Sequence, residues 1–349
     1  MLLLNLTKWL VVEKPNVSVS VLLIKGGELE LEFKKVTKTY ILNVNKKFDN
    51  FIFDTIDKLH QRRRIFYFKW DLVFSNTIVN GDILENFKHK KTKIVSYIHE
   101  LKQSIDNYNT KGKVEGTLKL SNYFFCGSKM VRNTLIHDFQ VSPSTTSVVN
   151  SFIDFKNHNY SKNPSKNTTL RKKLKINSTT TVVGMIGTSD YRKGFDIFME
   201  TAIKMKNQDF HFVWVGAHEK LSLKKEIKDL KLSLIPSCEN YLEYYHLFDV
   251  FYLSSREDPY PMVLVEASAF GMPIICFNNA GGAQEFIDEK VGFVIPFLSP
   301  SDAETYLQKV VYKQSFFSKN CHYIKEKSNN AHDVNVNAEL IFAKISKLF

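Results

Sequence analysis

Several marks of common protein classes are missing from this sequence of 349 residues. Its four cysteines, Cys126, Cys238, Cys276 and Cys321, show no Cys-x-x-Cys spacing and three of them sit beside strand-like runs. That argues against a structural zinc site and fits buried free thiols in a reducing cytoplasm. No window reaches the roughly 18 uninterrupted apolar residues of a membrane span. The best candidate, "MLLLNLTKWLVV", is short, carries Lys8 and has no small-residue cleavage site of a secretory signal. There is no long basic tail either, although Lys and Arg outnumber Asp and Glu by 48 to 36 and the formal charge is +12. The basic residues are spread through segments such as "HQRRRIF" and "KHKKTK". Such a surface suits nucleic acid, anionic lipid or a phosphorylated substrate. It equally suits an A+T-rich genome that encodes many Lys, Asn, Phe and Ile, so charge alone selects none of these.

What is present is apolar, periodic and long enough for two cores. An apolar content of 44% supports globular packing, and a chain of this length is expected to divide into two domains. Short β-branched runs alternate with helical patterns, the signature of a parallel sheet covered on both faces. In the first half the strand-like runs span residues 17–24, 38–44, 71–76, 93–99, 123–128 and 146–150. Residues 151–169, "SFIDFKNHNYSKNPSKNTT", are polar and aperiodic and read as an interdomain connection. The alternation resumes at 180–187, 210–216, 232–237, 249–255, 273–278 and 291–296, and helices follow from about 301 to 348.

These patterns predict an α/β protein of two Rossmann-like, doubly wound domains facing a cleft. The first covers 1–150, the connection 151–169 and the second 170–332, while 333–349 is a final helix returning to the first domain. Ligands in such sheets gather outside the carboxyl ends of the strands. One feature is out of order. The chain opens on an amphipathic helix, "LLLNLTKWLVVEK", where a doubly wound domain normally opens on a strand. The expectation is a first domain lacking its opening strand, from an encoded start downstream of the true one or from a real truncation.

Three segments of the second half carry chemistry. In "REDPYPMVLVEASAFGMP", Asp258 lies in a loop at a helix mouth, Pro261 suits the first helical turn and Gly271 stops the helix. Glu266 then stands roughly 7 to 8 Å up the helix axis. Free amides and the dipole at that mouth attract an anion such as a diphosphate. Paired carboxylates suit the hydroxyls of an elongated ligand, Glu266 a sugar-ring diol and Asp258 another hydroxyl. A plain cap for Asp258 and a solvated face for Glu266 are the alternatives. In "VVGMIGTSDYRKGFD" a strand ends at Gly187, and Arg192 and Lys193 stand in a turn that could hold phosphate oxygens or simply start a solvated helix. In "NNAGGAQEFI", Gly281 and Gly282 permit close backbone approach to a ligand, with Glu285 just inside a helix start, or make an ordinary tight turn. In the first half, "KIVSYIHEL" sets His99 and Glu100 at a strand's carboxyl end, and "FSNTIVNG" does the same for Ser75 and Asn76. A satisfied structural histidine is the bland reading of His99.

Together these segments resemble the retaining glycosyltransferases of the GT-B fold, particularly the large family 4 of bacterial lipopolysaccharide and capsule sugar transferases. The likeness is most specific from Thr180 to Pro296 and looser from about Asp71 to Asn150. "REDPYPMVLVEASAFGMPIICF" is similar to the family's E-x7-E signature, "YRKGFD" to its diphosphate turn and "AGGAQEFI" to its Gly-Gly-x-x-Glu segment. The resemblance implies transfer of a sugar from a nucleoside diphosphate to a glycan or lipid-linked hydroxyl, with configuration kept. Glu266 would bind the ribose, Asp258 the transferred sugar, and Lys193 with Arg192 the diphosphate. Backbone around Gly281, Gly282 and the helix after Pro261 would support the donor, and His99 would approach it from the other domain. "IPSCENYLEYYHLF" lies where such proteins receive the nucleobase, its contacting residue unassigned.

No Asp-x-Asp occurs, so the metal clamp of the other large glycosyltransferase fold has no evident ligands, and neither metal nor cofactor is expected. The expected setting is cytoplasmic, at the inner membrane face, with anionic lipid as a peripheral contact and no nucleic acid. The sequence departs from the family in three places. Asp258 replaces a Glu, Thr188 stands where many members have Arg, and the opening strand with its glycine loop has no counterpart before Met1. The alternative is a catalytically impaired nucleotide-sugar binder; an epimerase of related architecture and a basic nucleic-acid binder are further rivals.

Overall fold

The computed structural model describes residues 1–43, 65–88, 91–109, 112–217, 230–312 and 314–349. The basic run at 60–64, His89 and Lys90 of the second basic segment, and Val44 at the end of the second strand-like run lie outside the described residues. Each of the twelve strand-like runs contains a strand. The chain divides into two compact units, one of Met1–Cys126, Arg132–Asp154 and Val334–Phe349, the other of Gly127–Val131 and Phe155–Asp333.

The first unit opens on α1 (Leu2–Glu13), followed by β1 (Ser20–Lys25), α2 (Glu30–Val36) and β2 (Lys38–Asn43). After these come β3 (Leu72–Ser75), α3 (Gly81–Leu84), β4 (Lys93–Ile98), α4 (Lys102–Tyr108), α5 (Lys113–Leu120), β5 (Tyr123–Cys126), α6 (Lys129–His137) and β6 (Thr146–Val148). Strands β3 to β6 form a four-stranded parallel sheet in chain order, while β1 and β2 pair in parallel with each other. Leu2, Leu4, Leu6 and Trp9 of α1 are buried. Trp9 meets Phe342, whose helix, Val334–Ser346, belongs to this unit, at 6.4 Å between ring centroids.

The second unit contains α7 (Pro164–Leu174), β7 (Thr181–Ile186), α8 (Phe195–Lys204), β8 (Phe210–Ala217), β9 (Leu232–Pro236) and a 3-10 helix at Tyr241–His246. It continues through β10 (Val250–Leu253), α9 (Met262–Ala269), β11 (Ile274–Phe277), β12 (Gly292–Ile295), α10 (Pro300–Tyr312) and α11 (Gln314–His332). Its sheet runs β9-β8-β7-β10-β11-β12 with every pair parallel. The strand order therefore reverses between β7 and β10, and the carboxyl ends at such a switch point are where these sheets bind ligands. β-Branched and aromatic residues fill both faces of the central strands, as burial on two sides demands. Trp214, Phe198, Phe212 and Tyr252 are almost wholly buried and pack ring against ring. Truncating one such ring to Ala costs about 3–5 kcal/mol.

The aperiodic connection turns helical earlier than its sequence suggests. α7 begins at Pro164, inside the stretch read as loop, because Asn163 caps it by accepting from the amides of Ser165 (2.9 Å) and Lys166 (3.2 Å). Pro at the first helical position completes the start. Leu170 is its one buried residue, so the helix has almost no apolar stripe for a periodicity argument to detect. All four cysteines are free, and burial pushes the Cys126 and Cys276 thiols up to about 12. Among the described residues, no helix is long and apolar enough to cross a membrane.

Candidate functional site

The chain leaving β7 and the chain leaving β10 are tied together at the switch point. The Gly187 amide donates to Val215 O (2.8 Å), and Trp214 Nε1 donates to Gly187 O (2.8 Å), which pins the start of the first loop to β8. Further on, the Arg256 amide donates to Arg192 O (2.8 Å) and the Arg192 guanidinium donates to Glu257 O (3.0 Å). Arg256 grips Asp196 with both terminal nitrogens at 2.6 Å and lies 3.7 Å from the Tyr191 ring centroid. That fork holds the Asp196 carboxyl below the usual carboxylate range. Gly194 must be glycine for two reasons: its φ is +69°, and a Cβ there would sit 1.9 Å from Ser254 O.

The cross-linked loops bring Lys193 and Asp258 into an ion pair, with side chains only 14% and 9% exposed. Asp258 does not cap the following helix; Pro261 occupies that position and α9 has no side-chain cap. Lys193 is no solvated helix start. Arg192 is exposed and spends one terminal nitrogen on the Glu257 carbonyl. Ser255 Oγ is buried at the same loop and has no hydrogen-bond partner among the described residues.

Gly281 and Gly282 make their close approach to the acidic loop. Gly281 has φ +140° and a Cβ on it would meet Asp258 O at 1.7 Å. The Asp258 amide donates to Ala280 O (2.7 Å), and the Gly282 amide to Pro259 O (2.9 Å). These glycines thus shape the backbone that presents Asp258. Glu285 accepts from the amides of Lys129 (3.1 Å) and Met130 (3.2 Å) at the start of α6, whose residues up to Val131 group with this unit and not with the first.

Glu266, on the second turn of α9, is 5% exposed, which sets aside a solvated face. Tyr241 donates its hydroxyl to Oε1 (2.9 Å) and Tyr245 to Oε2 (2.8 Å). Burial raises its carboxyl to about 7, against the lowering effect of the two tyrosine hydrogen bonds. Both tyrosines come from the segment "NYLEYYHLF", to which no contact could be assigned from sequence. A phenol with only an isolated aromatic pattern around it carries no signal of its polar partner, and Arg256 was equally unmarked.

In the first unit, His99 and Glu100 follow β4. His99 Nε2 lies 3.1 Å from Asn76 Oδ1 and its ring 4.0 Å from that of Tyr97, and burial lowers its pKa to about 4, leaving it neutral. Glu100 accepts from the Thr77 hydroxyl and from the amides of His99 (2.9 Å) and Ile78 (3.4 Å). Burial raises its carboxyl. Ser75 donates to Thr77 O (3.1 Å) and accepts from Asn80 (3.1 Å), so the loop after β3 is organised around Glu100 and Ser75. Among the described residues, no group of three His, Cys, Asp or Glu side chains is placed to hold a metal ion.

Comparison with known proteins bears on the second unit most directly. Residues 166–331 match the family model of glycosyl transferases group 1. An uncharacterized glycosyltransferase of Haemophilus influenzae is 28% identical over 143 residues, 39% of this chain and 40% of that protein. The amylovoran biosynthesis glycosyltransferase AmsD of Erwinia amylovora is 29% identical over 119 residues, 33% of this chain and 34% of its own. The chain thus spans well under half the length of these curated relatives. Among solved structures, Anabaena HepE in complex with UDP aligns over 99% of this chain and 95% of its own with a TM-score of 0.80 at 16% identity. That likeness establishes the α/β fold of GT-B glycosyltransferases.

Proposed function

We propose, from the match of residues 166–331 to the family model of glycosyl transferases group 1, that the chain moves a sugar from a nucleoside-diphosphate donor to a hydroxyl of a glycan or lipid-linked acceptor in cell-surface polysaccharide synthesis, retaining the anomeric configuration. The observation that carries this reading is the largely buried Lys193–Asp258 pair at the β7/β10 switch point, with buried Glu266 on the helix that follows. HepE, which shares the fold, has been crystallised with UDP and with UDP-glucose.

The donor diphosphate competes with Asp258 for the Lys193 ammonium. When the phosphate oxygens take that cation, the Asp258 carboxylate is freed to accept from hydroxyls of the sugar, and Glu266 accepts from the ribose. In the transfer, the bond from the anomeric carbon to the diphosphate oxygen breaks and the acceptor oxygen bonds to the same face. The acceptor proton passes to the departing phosphate. Negative charge grows on that phosphate, so Lys193 and the positive end of the α9 dipole act most strongly in the transition state. No metal is needed for this neutralisation, because Lys193 and the helix mouth provide it. The net charge of +12 suits a chain that meets a lipid-linked acceptor at an anionic surface.

The test is release of nucleoside diphosphate from UDP-, GDP- and ADP-sugars by the purified chain, with and without a lipid-linked glycan acceptor, and the product anomer read by NMR. Acceptor-dependent release with retention supports the proposal. Binding without release identifies the impaired binder, conversion of free donor without acceptor identifies an epimerase, and no binding of any nucleotide overturns the reading.

A further inference from the structure

The two tyrosines on Glu266 differ in a way that points to a built-in competitor. Tyr245 is fully buried, its ring stacks on Phe270 at 5.2 Å and meets Phe248 edge-on at 5.9 Å, and its hydroxyl also reaches Val263 O at 3.3 Å. It is part of the core. Tyr241 opens the 3-10 helix, is only half-buried, and among the described residues has none of these ring contacts. Its polar anchor is Glu266 Oε1 at 2.9 Å. Tyr241 therefore joins a half-buried ring, partly open to solvent, to one oxygen of a deeply buried carboxylate. The pair delivers two O–H donors, one to each carboxylate oxygen, the same count and polarity as a vicinal diol.

We propose that Tyr241 stands in for a ribose hydroxyl: its phenol occupies Glu266 Oε1 in the free protein and leaves when the nucleotide's diol binds. This rests on the donor-site reading of Glu266. A carboxylate at this depth without hydrogen-bond donors is unfavourable, so an internal hydroxyl keeps the empty site folded. The consequence is a self-competition that lowers apparent donor affinity and lets the product nucleotide be displaced by the protein's own side chain. Tyr245, held by the core, stays on Oε2 throughout.

The experiment compares Tyr241→Phe and Tyr245→Phe with the unmodified chain by calorimetric titration of UDP, GDP and ADP, and of the 2′,3′-dideoxy form of whichever binds. Circular dichroism and thermal melts confirm folding. The expected result is a Kd for the ribonucleotide about three- to tenfold lower in Tyr241→Phe and higher in Tyr245→Phe. The gain should vanish with the dideoxy nucleotide, which has no diol to take the vacated place; a purely structural role would not make the effect depend on those hydroxyls. Unchanged or weaker ribonucleotide binding in Tyr241→Phe, or an equal gain with the dideoxy form, overturns the Tyr241 proposal while leaving the donor site standing. Failure of the unmodified chain to bind any of the three nucleotides overturns both.

Discussion

The two acids of one motif, eight residues apart, sit in opposite electrostatic surroundings. Asp258, in the loop after β10, faces the Lys193 ammonium, whereas Glu266, inside α9, faces two neutral phenols. A cation compensates a buried carboxylate's charge directly; phenols supply hydrogen bonds and leave the desolvation penalty largely in place. The same side-chain chemistry thus yields one acid locked into an ion pair and one that titrates near neutral pH. The difference matters for a donor with a charged middle and uncharged ends. The diphosphate must be met by a cation that an acid can release, while a ribose requires only an acceptor.

The largest effect expected from breaking this contrast comes from Lys193→Ala. Removing the cation should lower kcat by about a hundredfold or more. It should also destabilise the fold by about 3 kcal/mol, because Asp258 is left buried and unpaired. Released nucleoside diphosphate and a urea melt measure the two losses, and Lys193→Met combined with Asp258→Asn should recover the stability without the activity. Next is the pH response of Glu266. Its carboxyl is raised from 4.5 to about 7, so between those values the folded chain holds more protons than the unfolded one. Its stabilising contribution is complete below the lower value and declines as pH rises to the upper one. Glu266→Gln should therefore gain about 1–3 kcal/mol over the unmodified protein near pH 8 and nothing below about pH 5, read by melts at each pH. Donor affinity should run the other way. It needs the ionised acceptor, so it rises with pH through about 7 in the unmodified chain and stays low in Glu266→Gln.

A smaller effect is expected at Arg256, whose fork on Asp196 and stacking on Tyr191 hold the Lys193 turn against the Asp258 loop. Arg256→Lys keeps the charge and loses both the fork and the stack. It should weaken nucleotide binding about two- to fivefold, since Asp196 is largely exposed and screening limits the pair. The smallest is no effect at all. Chelator treatment should leave nucleotide release unchanged, because Lys193 and the amides of α9 carry the neutralisation; an EDTA-sensitive rate restored by a divalent cation would contradict this.

The sequence resolves the strands well and the contacts poorly. Runs such as "FHFVWVG" and "PIICF" are legible because a strand buried on both faces must be continuously apolar. The helix from Pro164 was missed because it rests on the Asn163 cap and not on a stripe. Asp258, Glu266 and Lys193 were legible as residues, through local spacing at strand ends. The partners of Glu266 were not, since Tyr241 and Tyr245 lie 25 and 21 residues away and reach it only once the 3-10 helix packs beside α9. Gly281 and Gly282 read as a ligand approach, yet their nearest neighbours are the backbone of Asp258 and Pro259.

By its own order of residues, the chain determined where strands and helices form, which loops carry charge, and that an acid, a base and a glycine pair stand at strand ends. These follow from side-chain size, polarity and period over a few residues. Tertiary structure alone decided that β7 lies next to β10, so that Lys193 meets Asp258 from 65 residues away and Glu266 is closed in by phenols. Parallel strands are joined by backbone hydrogen bonds, which carry no side-chain code for their neighbour, so the packing of the whole sheet selects the pairing.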